Sequence, residues 1–89
     1  MTRWRVEFDA AAARELRALG HSDRLRVQKC FRERIATGED PRRFGKSLTG
    51  DLQGLWRYRV GDIRIVATFE NEVLVVLVLR VGHRREVYD

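Results

Sequence analysis

Arg57, Arg59 and Arg64 are spaced so that a single β-hairpin would bring three guanidinium groups to one surface. Leu55–Val60 and Ile63–Glu70 are strand-like runs rich in Val, Ile and aromatic residues, and Gly61-Asp62 between them is a two-residue turn signal. With that turn as the loop, Val60 pairs with Ile63 and Arg59 with Arg64. Side chains alternate along a strand, so Arg57 and Arg59 share a face; cross-strand partners share it too, which adds Arg64. Like charges directly opposite one another on a sheet are unfavourable. A bound anion such as phosphate would offset that repulsion. The same alternation also fits solvated arginines on the outside of an ordinary amphipathic sheet.

A second group follows the third strand-like run, Val73–Val81. It reads Gly82-His83-Arg84-Arg85-Glu86-Val87-Tyr88. His and Tyr can take or give protons, and Arg stabilises phosphate charge. Taken singly, a terminal tyrosine also fits a packing role and His83 an ordinary surface histidine; closeness to the arginine patch is what raises them. Lys46, in the polar connection before the hairpin, is a further cation within reach of the patch, though no spacing demands it.

These residues need a scaffold. The opposite face of the hairpin carries Trp56, Tyr58, Val60, Ile63, Ile65 and Phe69, which is a core face. Val73–Val81 is apolar almost throughout and fits a central strand covered on both faces. With Asn71-Glu72 as a two-residue loop, Leu77 and Leu79 fall on the arginine face, which requires strong twist or a covering partner. Toward the N-terminus, Arg3–Phe8 alternates with Trp4, Val6 and Phe8 on one side. Asp9 suits an N-cap, and Ala10–Leu19 reads as a helix with Ala12, Leu16 and Leu19 on its inner stripe. Gly20 stops it. Ser22 is expected to cap a second helix, Asp23–Thr37, with Val27, Cys30, Phe31 and Ile35 inward. Arg24, Arg26, Lys29, Arg32 and Glu33 fall mostly on its solvated face. Gly38 and Pro41 end it, and Glu39–Gly54 is a polar connection pinned to the core by Phe44, Leu48 and Leu52. The expectation is an α+β domain over residues 1–89: an N-terminal strand, a helical hairpin, then an antiparallel β-meander, with both helices on one sheet face.

Composition bounds the chemistry. Eighty-nine residues make one domain, and 44% hydrophobic content makes it a folded one. A net charge of +5 and a pI near 10.3 favour an anionic partner, nucleic acid or an acidic protein segment, over a membrane. Cys30 is the only cysteine, so no intrachain disulfide and no cysteine-based metal site can form. His21 and His83 belong to no metal-binding motif, and neither metal nor cofactor is expected. No apolar run is long enough to span a bilayer and no signal-peptide pattern follows Met1, so a cytoplasmic protein is expected.

The order strand–helix–helix–meander, the run SLTGDLQGLWRYRVGDIRIVATFENEVLVVLVL and the ending VGHRREVY resemble the RelE/ParE superfamily of bacterial type II toxin–antitoxin toxins, and the RelE branch in particular. The resemblance covers nearly the whole chain; GLWRYRVGDIRI and VGHRREVY are its most specific parts. It implies a two-layer RelE-like fold and a ribosome-dependent messenger RNA endonuclease. Such toxins cut the codon in the ribosomal A site without metal: the 2′-hydroxyl attacks the neighbouring phosphate and leaves a 2′,3′-cyclic phosphate and a 5′-hydroxyl. It implies, as partners, the ribosome, messenger RNA and a RelB-like cognate antitoxin in a hetero-oligomer.

By the same resemblance, Arg57 and Arg59 match the two basic positions of the family's first meander strand, Arg64 the arginine after the hairpin turn, Arg84 the arginine after the last strand's glycine, and Tyr88 the C-terminal tyrosine. Tyr88 would accept the 2′-hydroxyl proton, Arg64 with Arg57 or Arg59 would hold the phosphate, and Arg84 would stabilise the leaving oxygen. His83 is an alternative proton donor, and His83, Arg85 and Lys46 are further RNA-binding candidates. Two departures stand out. The strand positions are often lysine in the family and are arginine here, which excludes a lysine base. The Arg84-to-Tyr88 segment is shorter than in some relatives, and no C-terminal helix is expected after Asp89. Two other readings are a ParE-like inhibitor of DNA gyrase and a non-catalytic basic binding module.

Overall fold

The computed structural model describes residues 3–83 and Val87. Three of the expected site residues, Arg84, Arg85 and Tyr88, lie outside the described residues. The chain runs β1 (Arg5–Phe8), α1 (Ala10–Ala18), α2 (His21–Cys30), β2 (Lys46–Ser47), β3 (Trp56–Val60), β4 (Ile63–Glu70) and β5 (Val75–His83). The strands form one sheet in the order β1-β5-β4-β3-β2, with β1 parallel to β5 and every other pair antiparallel. Among the described residues no helix is long and apolar enough to cross a membrane.

Local chemistry starts α1 as expected: the Asp9 side chain accepts from the Ala12 amide at 2.8 Å. Ala12, Leu19, Val27, Cys30, Phe31 and Ile35 bury their side chains in one core with Tyr58, Ile63, Ile65, Ala67, Val76, Val78 and Val81. The helices therefore cover the face opposite the arginines. β5 has a strand on each side, and Val75, Val76, Val78 and Val81 are all buried, as a central strand covered on both faces requires.

Three expectations change. The second helix begins at His21, with Gly20 rather than Ser22 at the N-cap position. It ends as an α-helix at Cys30 and continues as one wide π turn, Phe31–Ile35, closed by the Ala36 amide on the Phe31 carbonyl. It stops short of Thr37 because the backbone leaves the helical region at Ala36, with a ψ of 60°; the Thr37 carbonyl then accepts from the Trp4 amide at 2.8 Å, which ties this end to the start of β1.

The connection after it is not pinned by Phe44 and Leu52, which are 43% and 37% exposed. Phe44 instead lies under the guanidinium groups of Arg34 and Arg43. The anchor is Pro41, which is buried and whose carbonyl accepts from the Tyr58 hydroxyl at 2.7 Å. A short strand unforeseen in the sequence, β2, then runs beside β3.

The third change alters the arginine face. The loop after β4 takes four residues, Asn71–Leu74, not two, with Leu74 at a φ of 53°. A β-bulge follows: Ala67 pairs with Val78, whereas Val66 pairs with Arg80, which leaves Leu79 as the extra residue. A one-residue shift exchanges the two faces of a strand. Arg80 and Gly82 therefore stand opposite Val66 and Arg64 in place of the expected leucines, and Leu77 moves away to pair with Thr68.

Candidate active site on the arginine face

The hairpin forms in the register its turn demands. Val60 pairs with Ile63, Arg59 with Arg64 and Arg57 with Val66. Gly61 takes a φ of 60°, and Asp62 has no positive φ, the pattern of a turn with glycine at its first central position. On the helix side, the Arg26 guanidinium occupies the space a Cβ at Gly61 would need.

Cross-strand pairing arranges the cations in two rows. Lys46, Arg57, Val66 and Arg80 run across β2, β3, β4 and β5. Arg59, Arg64 and Gly82 form the next row. Lys46 and Arg59 are exposed and Arg57 is half-buried. Lys46 thus joins the patch through β2, which nothing in its sequence spacing required.

Arg64 is different in kind. It is 6% exposed, and it is the buried charged residue of the described chain. Its Nη1 donates to the Gly61 carbonyl at 2.9 Å and to the Ile63 carbonyl at 3.2 Å. This folding-back relieves the direct opposition of Arg64 to Arg59. Both bonds leave from Nη1, and among the described residues Arg64 has no carboxylate partner. A guanidinium taken out of water needs a compensating charge or a full set of acceptors. Its Nε and Nη2 donors suit the oxygens of an incoming anion, in the planar fork that matches phosphate.

His83 does not join this group. It pairs with Ile63, which puts it on the helix side of the sheet, and its Nε2 lies 3.9 Å from an Asp23 carboxylate oxygen on α2. The expectation that it sits beside the arginines is corrected by the register: Arg64 opposes Gly82, so the next residue must face the other way.

Two other groups near the site are inert in character. Burial pushes the Tyr58 hydroxyl well above the ordinary tyrosine range, so it stays a neutral donor to Pro41. Burial also pushes the Cys30 thiol up, with the Arg34 charge opposing it. Cys30 borders a cleft of about 370 Å³ between α2 and the open edge of β3, lined also by Arg26, Lys29, Glu33, Arg34 and Arg59. Arg59 thus links the sheet face to a second basic surface.

Residues 6–88 match the family described as "ParE toxin of type II toxin-antitoxin system, parDE". The chain belongs to this family, within the RelE/ParE superfamily of type II toxins. Toxin RelG of Mycobacterium tuberculosis (strain ATCC 25618 / H37Rv) is 37% identical over 49 residues, 55% of this chain and 56% of RelG. The match thus spans little more than half the length of that relative. A chain of the RelBE2 toxin–antitoxin complex from Mycobacterium tuberculosis superposes with a TM-score of 0.84 at 29% identity, covering 97% of each chain. The archaeal RelE–RelB complex from Pyrococcus horikoshii OT3 gives 0.70 at 26% identity, over 97% of this chain and 100% of the other. The five-stranded sheet with two helices on one face is therefore the α+β fold of RelE-like toxins.

In this RelE/ParE member, the residue the sequence reading missed is Arg80. Its signal was hidden because strict alternation from a two-residue turn assigned that part of the face to Leu77 and Leu79. The bulge that reassigns it leaves no motif in the sequence.

Proposed function

We propose that this chain is the toxin of a type II toxin–antitoxin pair and that its arginine face cleaves messenger RNA on the ribosome. The buried Arg64 carries the reading: both of its hydrogen bonds leave from Nη1 and no carboxylate pairs it among the described residues, which suits the guanidinium to a phosphodiester. Arg57, Arg59 and Lys46 on the same face add charge for the phosphates on either side.

The chemistry this surface would perform is a transesterification within RNA. The 2′-oxygen attacks the adjacent phosphorus, its proton passes to Tyr88, and the P–O5′ bond breaks as the 5′-oxygen takes a proton from water. The products are a 2′,3′-cyclic phosphate and a 5′-hydroxyl. Arg64 holds the non-bridging oxygens and stabilises the charge that builds on them, together with Arg57 or Arg59. To act as that base, Tyr88 would need positive charge beside it, which favours the ionised phenol. Arg84 stabilises the leaving oxygen. His83, on the other face of the sheet, is given no role in that step.

Two of the relatives of known structure come from the RelBE2 and RelE–RelB toxin–antitoxin complexes. By that likeness we assign this chain a RelB-like antitoxin partner. Acidic segments would suit the +5 charge.

A second reading is favoured by the family's own description, which names ParE and parDE. In it, the chain inhibits DNA gyrase and the arginines are binding residues only. Inducing wild type and Tyr88→Phe in parallel, with primer extension on a translated message and a gyrase supercoiling assay, separates the two. Translation-dependent cuts inside codons that vanish in Tyr88→Phe support the nuclease. Growth arrest with intact message and blocked supercoiling transfers the chain to the ParE-like reading.

A further inference from the structure

The cleft between α2 and β3 is a second place where cations gather. Arg26, Lys29, Cys30, Glu33 and Arg34 recur at helical spacing, so they form one stripe along α2 and the π turn that continues it. That stripe faces the end of β3. β2 covers β3 only at Trp56 and Arg57, so among the described residues no strand flanks Arg59 and Val60 on that side. The resulting cleft holds four cations, Arg26, Lys29, Arg34 and Arg59, and one carboxylate, Glu33. Arg26 is answered by Asp23 at 3.5 Å. Lys29, Arg34 and Arg59 have no carboxylate partner among the described residues. Arg34 is held over the Phe44 ring at 5.5 Å, a contact that consumes none of its N–H donors. Like charges gathered in a cleft raise its positive potential and concentrate anions there.

The cleft and the arginine face meet at two residues. Arg59 stands opposite Arg64 on the face and also lines the cleft. Gly61 accepts from Arg64 Nη1 on its carbonyl and has the Arg26 guanidinium where its Cβ would be. The other end of the face is neutralised. Arg80, in the row of Arg57, gives its Nε to Glu15 at 3.0 Å, and Glu15 also accepts from the Val81 amide at 2.9 Å. A polyanion held at Arg64 is therefore drawn toward β3 and the cleft rather than toward α1. An RNA strand carries a charge at every nucleotide, so a strand anchored at Arg64 has its next phosphates to place along such a tract.

We propose that the cleft is a second RNA site, which takes backbone phosphates of the strand held at Arg64 as that strand leaves the arginine face around the open edge of β3. Lys29 and Arg34 bind those phosphates; neither touches the phosphate that is cut. The site rests on the reading of the arginine face as an RNA surface for its occupant, and it does not require cleavage.

The test is binding of a single-stranded RNA of about eight nucleotides, 2′-O-methylated throughout so that it cannot be cut. The full chain is measured as wild type and as two double variants. Lys29→Gln/Arg34→Gln removes two charges from the cleft and keeps the side-chain stems. Arg17→Gln/Arg32→Gln removes two exposed charges outside it. The cleft variant should lose about tenfold in affinity at low salt, and its plot of log affinity against log salt should be shallower by about 1.4, the share of two phosphate contacts. The other variant should lose less than about twofold. Equal losses in the two variants, or no binding by wild type, overturn the site. So does a polyglutamate peptide that needs Lys29 and Arg34 when RNA binding does not, because the cleft then docks an acidic protein segment. Cleavage on programmed ribosomes is read in parallel. Cleft-dependent binding without cleavage removes the nuclease reading and keeps the RNA site. Cleavage with equal binding losses removes the RNA site and keeps the nuclease reading.

Discussion

Arg64 donates from Nη1 to the carbonyl of Gly61 at 2.9 Å, so the buried cation and the turn that precedes it are one structural unit. Gly61 supplies a φ of 60° that an L side chain rarely adopts. The carbonyl that anchors the arginine is therefore oriented by a residue chosen for its lack of a Cβ.

Gly61→Ala tests that unit. The Arg26 guanidinium is the flexible end of a side chain and can move aside. The backbone strain remains and costs about 1–3 kcal/mol. Urea denaturation should show that loss, and RNA cleavage should fall further than in a distant variant of equal stability, because Arg64 loses its anchor.

Arg64→Ala should leave a folded domain and reduce cleavage by about 10²–10³-fold, the usual effect of removing one preorganised donor from a developing oxyanion. Arg64→Lys should recover only part of it, since an ammonium cannot bond Gly61 and fork onto a phosphate at once. Circular dichroism checks the fold and primer extension the activity. Undiminished activity in folded Arg64→Ala would remove the nuclease reading.

Ile65 is fully buried in the core layer between sheet and helices. Ile65→Ala should cost about 2–5 kcal/mol, the sum of lost transfer energy and a residual cavity. Trp56 is only half-buried, on the edge of an aromatic cluster with Phe69, so Trp56→Ala should cost less. Thermal melts of the two variants check the order.

Stability should also fall at high pH. Burial raises the Tyr58 hydroxyl above its ordinary value, so the unfolded chain ionises first. The stability that neutral Tyr58 confers is complete below the ordinary tyrosine value of about 10 and is lost as pH rises toward the folded value. Cys30, also raised, starts to act in the same direction from the ordinary thiol range. Tyr58→Phe should weaken the decline above that pH. At neutral pH it should cost about 1 kcal/mol for the lost bond to Pro41. Urea midpoints across pH check both.

The hairpin could be read from the chain because its determinants are local. Gly61-Asp62 sets the loop, the alternation sets the faces, and together they place Arg57, Arg59 and Arg64 on one surface. The N-cap at Asp9, the inner stripe of α2 and the central character of β5 are local in the same sense, since each depends on residue type and period. The resemblance to RelE/ParE toxins also rested on contiguous runs.

What the tertiary structure alone decided involves partners distant in sequence. Leu74 with its positive φ lengthens the second turn, and the bulge at Leu79 then replaces leucines by Arg80 and Gly82 opposite the site. The same register sends His83 to the helix side. The parallel pairing of β1 with β5 ends at Val78, and only a helix crossing that edge can bring Glu15 to Val81 and Arg80. Alternation says which side of its own strand a residue faces. Which residues meet across strands depends on loop lengths, bulges and long-range packing, and these have no period to read.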